Sequence, residues 1–174
     1  DGYCYVHDHF TPEMVKMAGA RPVIVPTSDK TEFKLTAEAL RAAITPRTRL
    51  FILNSPSNPS GSVYTPEEVK ALGDVCVEKN ILIMSDEIYE HLLYDGHTFN
   101  TIAEVTPGLK DRTLTVNGCS KTYAMTGWRI GFGGGPAKLI KGMFNMQGQA
   151  TAGVSTVGQA AAAAALDGPQ ELVE

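Results

Sequence analysis

Short, unbroken apolar runs alternate with longer segments of helical period, and this alternation constrains the fold more than any other feature of the chain. RLFILN (49–54) is apolar nearly throughout, as a strand covered on both faces is. TPEEVKALGDVCVEKN (65–80) follows, with Val69, Leu72, Val75 and Cys76 recurring at helical spacing. Thr65 and Glu68 can form a capping box there, and Pro66 suits the first turn. Further strands are expected at RPVIVP (21–26), ILIMSDE (81–87), TLTVNG (113–118) and WRIGFGGG (128–135). Further helices are expected at TPEMVKMAGA (11–20), LTAEALRAAI (35–44), PAKLIKGMFNM (136–146) and the alanine-rich QAAAAAAL (159–166). In LTAEALRAAI, Leu35, Ala39, Leu40 and Ala43 share one stripe and Thr36 is the expected N-cap. Strands alternating with helices of this length predict an α/β fold, a parallel or mixed sheet with helices on its faces. No repeat or linker divides it, so one layered unit is expected.

Composition narrows the function classes. Apolar residues make up 43% and charged residues 20%, as in ordinary globular proteins. A formal charge of -4 argues against a nucleic-acid surface, which needs clustered Lys and Arg. No apolar run reaches the roughly 18 residues of a membrane span. Cys4, Cys76 and Cys119 are odd in number and lack Cys-x-x-Cys spacing. That speaks against a disulfide framework or structural zinc and for a reducing, cytoplasmic setting. The chain opens at Asp1 without a methionine or signal-peptide pattern and stops at Glu174, just after DGPQELVE, which reads as a helix barely begun. A fragment of a longer protein is the expectation.

The informative polar residues fall at strand ends. NSPSNPSG (54–61) follows RLFIL and must be an ordered loop. Asp86 and Tyr89 in DEIYE (86–90) follow ILIMS, and Cys119-Ser120-Lys121 follows TLTVNG. In open α/β sheets, ligands bind in the crevice beyond the carboxyl ends of the strands. Each residue has a plain alternative: Asp86 a helix cap, Asn58 a turn residue before proline, Tyr89 a core aromatic, Lys121 a surface charge, Arg129 a partner for any carboxylate. Their joint arrangement suits a pyridine aldehyde bearing a phosphate. Such a cofactor needs a lysine for a Schiff base, a carboxylate at the ring nitrogen, donors to the phenolic oxygen, and a guanidinium for the phosphate. Lys121, Asp86, Tyr89 with Asn58, and Arg129 can fill these needs. A lysine must be neutral to attack a carbonyl, so Lys121 is expected to be buried beside other cations, which lowers its pKa from roughly 10.4.

The segments NSPSNPSG, SDEIYEHLLYDG (85–96) and NGCSKTYAMTGWRIG (117–131) closely resemble signatures of the class I aminotransferases, fold type I pyridoxal-phosphate enzymes. The likeness runs from about Thr11 to about Leu166 and is nearest to the bacterial aspartate and aspartate/prephenate group. It implies a three-layer α/β/α large domain with a mostly parallel sheet. Residues 1–174 would then be a partial pyridoxal 5'-phosphate domain, with the N-terminal segment and the small domain outside the chain. Lys121 matches the lysine that forms the Schiff base and then moves the substrate proton. Asp86 matches the partner of the ring nitrogen, and Tyr89 and Asn58 the donors to the phenolic oxygen. Asn58 also matches a ligand of the substrate carboxylate, and Arg129 the phosphate-binding arginine. The implied reaction is transamination between an amino acid, aspartate favoured, and a 2-oxo acid, in a homodimer when full length. A β-lyase or decarboxylase on the same cradle, or an inactive cofactor-binding remnant, are the alternatives. The isolated chain is expected to turn over weakly or not at all.

The chain departs from the family pattern in places. Gly118 stands where some branches carry a phosphate-binding serine, and Ser120 gives no firm substitute. In DGYCYVHDHF an ungapped match sets Asp8 where relatives have a ring-stacking aromatic; His7, His9 or Phe10 would serve only after a shift. The segment is expected to be a frayed or altered terminus. A metal site from His7, Asp8 and His9 lacks a fourth ligand nearby. Gly133 to Gly135 lack nucleotide-loop spacing and read as a tight turn.

Overall fold

The computed structural model describes residues 2–5, 10–171 and 173, with side chains from residue 12 onward. Its elements in chain order are β1 (Gly2–Tyr5), α1 (Phe10–Met17), β2 (Pro22–Ile24), α2 (Ala37–Ala43), β3 (Thr48–Asn54), α3 (Pro66–Glu78), β4 (Leu82–Asp86), β5 (Thr113–Gly118), α4 (Cys119–Thr122), β6 (Gly131–Gly134), α5 (Ala137–Ala150) and α6 (Thr156–Asp167). Among the described residues the strands form one sheet in the order β2-β1-β3-β4-β5-β6. All neighbours run parallel except β5 and β6. The expected mostly parallel α/β architecture is what the chain adopts. No helix among the described residues is long and apolar enough to cross a membrane.

Helices α2 and α3 form where their caps and stripes predict. Thr36 Oγ1 accepts the Ala39 amide at 3.1 Å and starts α2. At α3 the capping box closes in both directions: Thr65 Oγ1 accepts from the Glu68 amide at 3.3 Å, and the Thr65 amide donates to Glu68 Oε2 at 2.8 Å. The buried stripe of α3 is Val69, Leu72, Val75 and Cys76. It packs with Leu40 of α2 against Phe51, Leu53 and Ile83 of the sheet. Side chains alternate across a strand, so Leu50 and Ile52 face the other way, towards Val15 of α1 and Met84. Helices on both faces therefore make three layers.

Four expectations change. GYCY is not a frayed end: β1 lies inside the sheet and pairs with both β2 and β3. It is too short to show a period. WRIGFGGG is not a strand throughout, because Thr126–Trp128 is a 3-10 turn and Arg129 adopts φ 58°, so extension begins only at Gly131. Gly133 and Gly134 accordingly belong to β6 and not to a turn. Gly135 follows, where a Cβ would meet the Thr113 carbonyl oxygen at 2.8 Å. Finally, DGPQELVE starts no helix among its described residues; α6 ends at Asp167 and no further helix follows.

Candidate functional site

The strands β3, β4 and β5 are neighbours in the sheet, so their carboxyl ends form one rim. Asn54 pairs with Asp86 in the β3–β4 register, and Asp86 with Val116 in the β4–β5 register. The polar segments that follow these strands therefore stand side by side.

The first segment is folded back by Asn54. Its Nδ2 donates to the Asp86 carbonyl at 3.2 Å, while its Oδ1 accepts the Asn58 amide at 2.9 Å. The Ser55 amide also donates to the Asp86 carbonyl, at 3.1 Å, and Gly61 to that of Ser57 at 2.8 Å. The loop is ordered, as its composition predicted. It presents the Asn58 amide to Tyr89, and Nδ2 donates to the phenol oxygen at 3.1 Å. The Tyr89 hydroxyl thus accepts from within the protein and keeps its own proton to donate outward.

Asp86 ends β4 half-buried. Burial pushes its carboxyl above the usual aspartate range, and the Ile88 amide, donating to Oδ1 at 3.3 Å, offsets part of that. Among the described residues no Lys, Arg or His lies within ion-pair distance of it. Glu87 turns the opposite way, into the protein, and is only 4% exposed. Its Oε1 accepts the hydroxyls of Ser85 at 2.8 Å and Thr101 at 2.7 Å. Burial raises its pKa, the Thr101 and Ser85 hydroxyls offset part of that, and the nearby Glu90 and Asp86 raise it further.

The third segment follows β5. Gly118 is pressed so close to β6 that a Cβ would meet the Ile130 carbonyl oxygen at 2.9 Å. A serine could not be placed there without moving backbone, which accounts for the departure at this position. The single turn α4 then carries Lys121, whose Nζ lies 5.4 Å from the Tyr89 ring centroid. Its side chain stands exposed over an aromatic face and is not buried among cations, contrary to expectation. A strand-end turn reaching past the sheet has solvent on its far side. Arg129 holds a left-handed backbone, which costs a non-glycine residue roughly 1–2 kcal/mol. Its Nη1 donates to the Thr126 carbonyl at 2.9 Å, and the guanidinium is exposed.

Asn58, Tyr89 and Lys121 are thus brought together, with Asp86 on the adjacent strand end. Arg129 enters the same end of the sheet from the antiparallel β6. Sequence reasoning missed Asn54, Glu87, Glu90 and Asn117. A polar residue closing an apolar strand was a usable signal for Asn54 and Asn117, whereas nothing local marks Glu87 as buried. His7, Asp8 and His9 lie outside the described residues, as does the Phe10 side chain. Among the described residues no group of three or more His, Cys, Asp or Glu could hold a metal ion.

Comparison with known proteins bears on this site. The family Aminotransferase class I and II matches residues 6–174. An aspartate aminotransferase of Geobacillus stearothermophilus is 52% identical over 163 residues, 94% of this chain and 42% of that protein. An aspartate/prephenate aminotransferase of Cereibacter sphaeroides is 53% identical over 163 residues, 93% of this chain and 41% of that protein. The chain spans about two fifths of the length of these curated relatives. The crystal structure of the Rhizobium meliloti aspartate aminotransferase superimposes with a TM-score of 0.95 at 47% identity, covering 99% of this chain and 44% of that one. With sequence and fold matched over nearly its whole extent, the chain belongs to the class I and II aminotransferase family.

Proposed function

We propose that this chain is the cofactor cradle of a pyridoxal-phosphate-dependent aminotransferase moving an amino group between an amino acid, aspartate favoured, and a 2-oxo acid. The observation that carries the reading is the meeting of Asn58 Nδ2 and Lys121 Nζ on the hydroxyl and ring of Tyr89. The names of the relatives, aspartate and aspartate/prephenate aminotransferases, support the substrate class. We assign residues 1–174 to a cofactor-binding domain of a cytoplasmic homodimer.

The donor set fits pyridoxal phosphate. Asp86 is a carboxylate pushed up by burial and without a cationic partner among the described residues, so a facing ring N–H would stabilise its charged form. Tyr89 has a hydroxyl proton to give to a phenolic oxygen, and the Asn58 amide is beside it. Arg129 has guanidinium nitrogens beyond the one bonded to Thr126, enough to fork onto a phosphate. Lys121 offers a primary amine at the rim, able to hold an aldehyde covalently. Bound there, pyridoxal phosphate supplies an electron sink for the pair left when a substrate Cα–H bond breaks.

The residues of the chain do the rest. Lys121 Nζ, when free, takes the substrate Cα proton as general base and can return it as general acid. Tyr89, beside it, fixes the direction of that amine. Asp86 fixes the charge at the floor of the cradle, where half-burial keeps water from screening it. Asn58 serves the phenolic oxygen and is within one loop of any carboxylate entering from the rim.

Absorbance titration of the 174-residue chain with pyridoxal phosphate, followed by borohydride trapping and peptide mass analysis, tests this. A new near-visible band with reduced cofactor on Lys121 is the expected result. Lys121→Ala, and equally Lys121→Arg, should lose both band and label, since a guanidinium neither forms the imine nor yields its proton. Label scattered over other lysines would overturn the assignment. Transamination by the isolated chain is expected to be weak or absent.

A further inference from the structure

We propose that Asn117 and Glu90 form a clamp that sets the Lys121 turn in place against Tyr89, making both of them positioning residues. The inference rests on the reading of Lys121 given above. Asn117 is the next-to-last residue of β5 and is only 9% exposed. Its Nδ2 donates to Glu90 Oε1 at 2.6 Å, and its Oδ1 accepts the Gly118 amide at 2.7 Å. A carboxylate only accepts and a backbone N–H only donates, so both ends of the amide are committed and its orientation is determined.

The two anchor points belong to the two segments that must meet. Glu90 directly follows Tyr89. Gly118 opens the turn that carries Lys121, and the next amide, that of Cys119, donates to the Ile130 carbonyl at 3.3 Å. A second link, from the Glu87 amide to the Val116 carbonyl at 2.9 Å, lies one residue back along β5. Two cross-links of different kind therefore hold 87–90 to 116–117, and only the clamp involves side chains. An apolar pair would fill the same space without asking for a hydrogen bond; a carboxylate and an amide do so only in one arrangement. The result is a fixed path of four residues from Asn117 to Lys121 and one residue from Glu90 to Tyr89.

The surroundings make the polarity of the clamp decisive. Glu87 lies close enough for the charges of Glu90 and Asp86 to raise its pKa, and His91 Nε2 is 3.6 Å from Glu90 Oε1. Asn117 is thus a neutral donor to Glu90, one of a group of three carboxyls with Glu87 and Asp86. Asn117→Asp keeps its shape but turns the donor into a fourth carboxyl, while Glu90→Gln added to it restores a donor on the other side.

The test uses the full chain with pyridoxal phosphate as probe, and reads three quantities: half-saturation in the absorbance titration, the position of the absorption band, and the share of trapped label on Lys121. Asn117→Asp is expected to weaken half-saturation about tenfold, shift the band and spread the label to other lysines. The double variant Asn117→Asp with Glu90→Gln is expected to recover to within about threefold of the starting chain, the signature of two directly coupled side chains. An Asn117→Asp chain that is folded by circular dichroism and labels Lys121 unchanged would overturn the clamp, as would a folded double variant with no recovery. Should the unaltered chain take no label on Lys121, the functional reading falls separately. Amide exchange over 117–123 then decides the clamp: faster exchange in Asn117→Asp, reversed by Glu90→Gln, supports it, and unchanged exchange overturns it.

Discussion

The face covered by α2 and α3 and the flank formed by α5 and α6 are both rich in apolar residues but meet solvent very differently. Leu40, Phe51, Leu72, Ile83 and Leu109 are at most 1% exposed, and they interlock across two helices, two strands and the turn that leads into β5. On the flank, α5 has no buried residue, with Phe144 and Met146 each 76% exposed, and an open apolar groove separates its Leu139, Met143 and Met146 from Leu82 of β4. The buried contact of this flank comes from α6, where Ala162 packs on Ile130 and Cys119 beneath the Lys121 turn. A helix of this length is marginal on local terms alone, so the two regions differ in the packing that holds their helices. The lesson is that helical period tells which residues want cover, not whether cover is at hand.

Substitutions can break this comparison. The largest effect is expected for Phe51→Ala, which opens a cavity in the tightly packed face and should cost about 3–5 kcal/mol in urea unfolding. Next comes Tyr64→Phe. The Tyr64 hydroxyl, whose pKa burial pushes up to about 12, accepts the Leu35 amide at 2.7 Å. Its removal strands a buried N–H and should cost about 1–3 kcal/mol by the same measurement.

Asp86→Asn sharpens the contrast between core and rim, because here the sign is reversed. Folding raises this carboxyl above its ordinary 3.8 by burial. The folded chain therefore holds the proton more tightly, and the associated stability is full below the ordinary value and lost as pH rises through the raised one. Asp86→Asn should accordingly raise the Tm at neutral pH by roughly 1–3 °C, with the gain vanishing at acid pH, while abolishing the pyridoxal phosphate band. A Tm lowered at neutral pH would refute the burial argument. The smallest effect belongs to the flank: Phe144→Ser should change unfolding free energy by less than about 0.5 kcal/mol, and a loss as large as that of Phe51→Ala would erase the distinction drawn between the two regions.

Much of this was legible in the sequence, for physical reasons that differ by element. The capping box at Thr65 and the stripe of α3 are local, so they could be read directly. Asn58, Asp86, Tyr89 and Lys121 were legible as strand-end residues because an α/β sheet collects its strand ends on one rim. The position of β1 was not, since GYCY spans too few residues for a period and its place is decided by pairing on both sides. Arg129 was read within a strand because its left-handed backbone carries no side-chain signal. The exposure of Lys121 and the burial of Glu87 depend on what stands above the rim and below it, which no local pattern encodes.

The reversal of direction between β5 and β6 has a consequence for chain length. Gly118 and Gly131 face each other on one rung, so everything between them, Lys121 and Arg129 included, is a loop closed at its base. An added or deleted residue there would rotate one cation away from the other, because neither end can yield. The connection over residues 87–112 joins parallel strands by a long crossover and can absorb such a change in its exposed turns. Between Gly118 and Gly131, the residue count itself sets how the two cations stand at the rim.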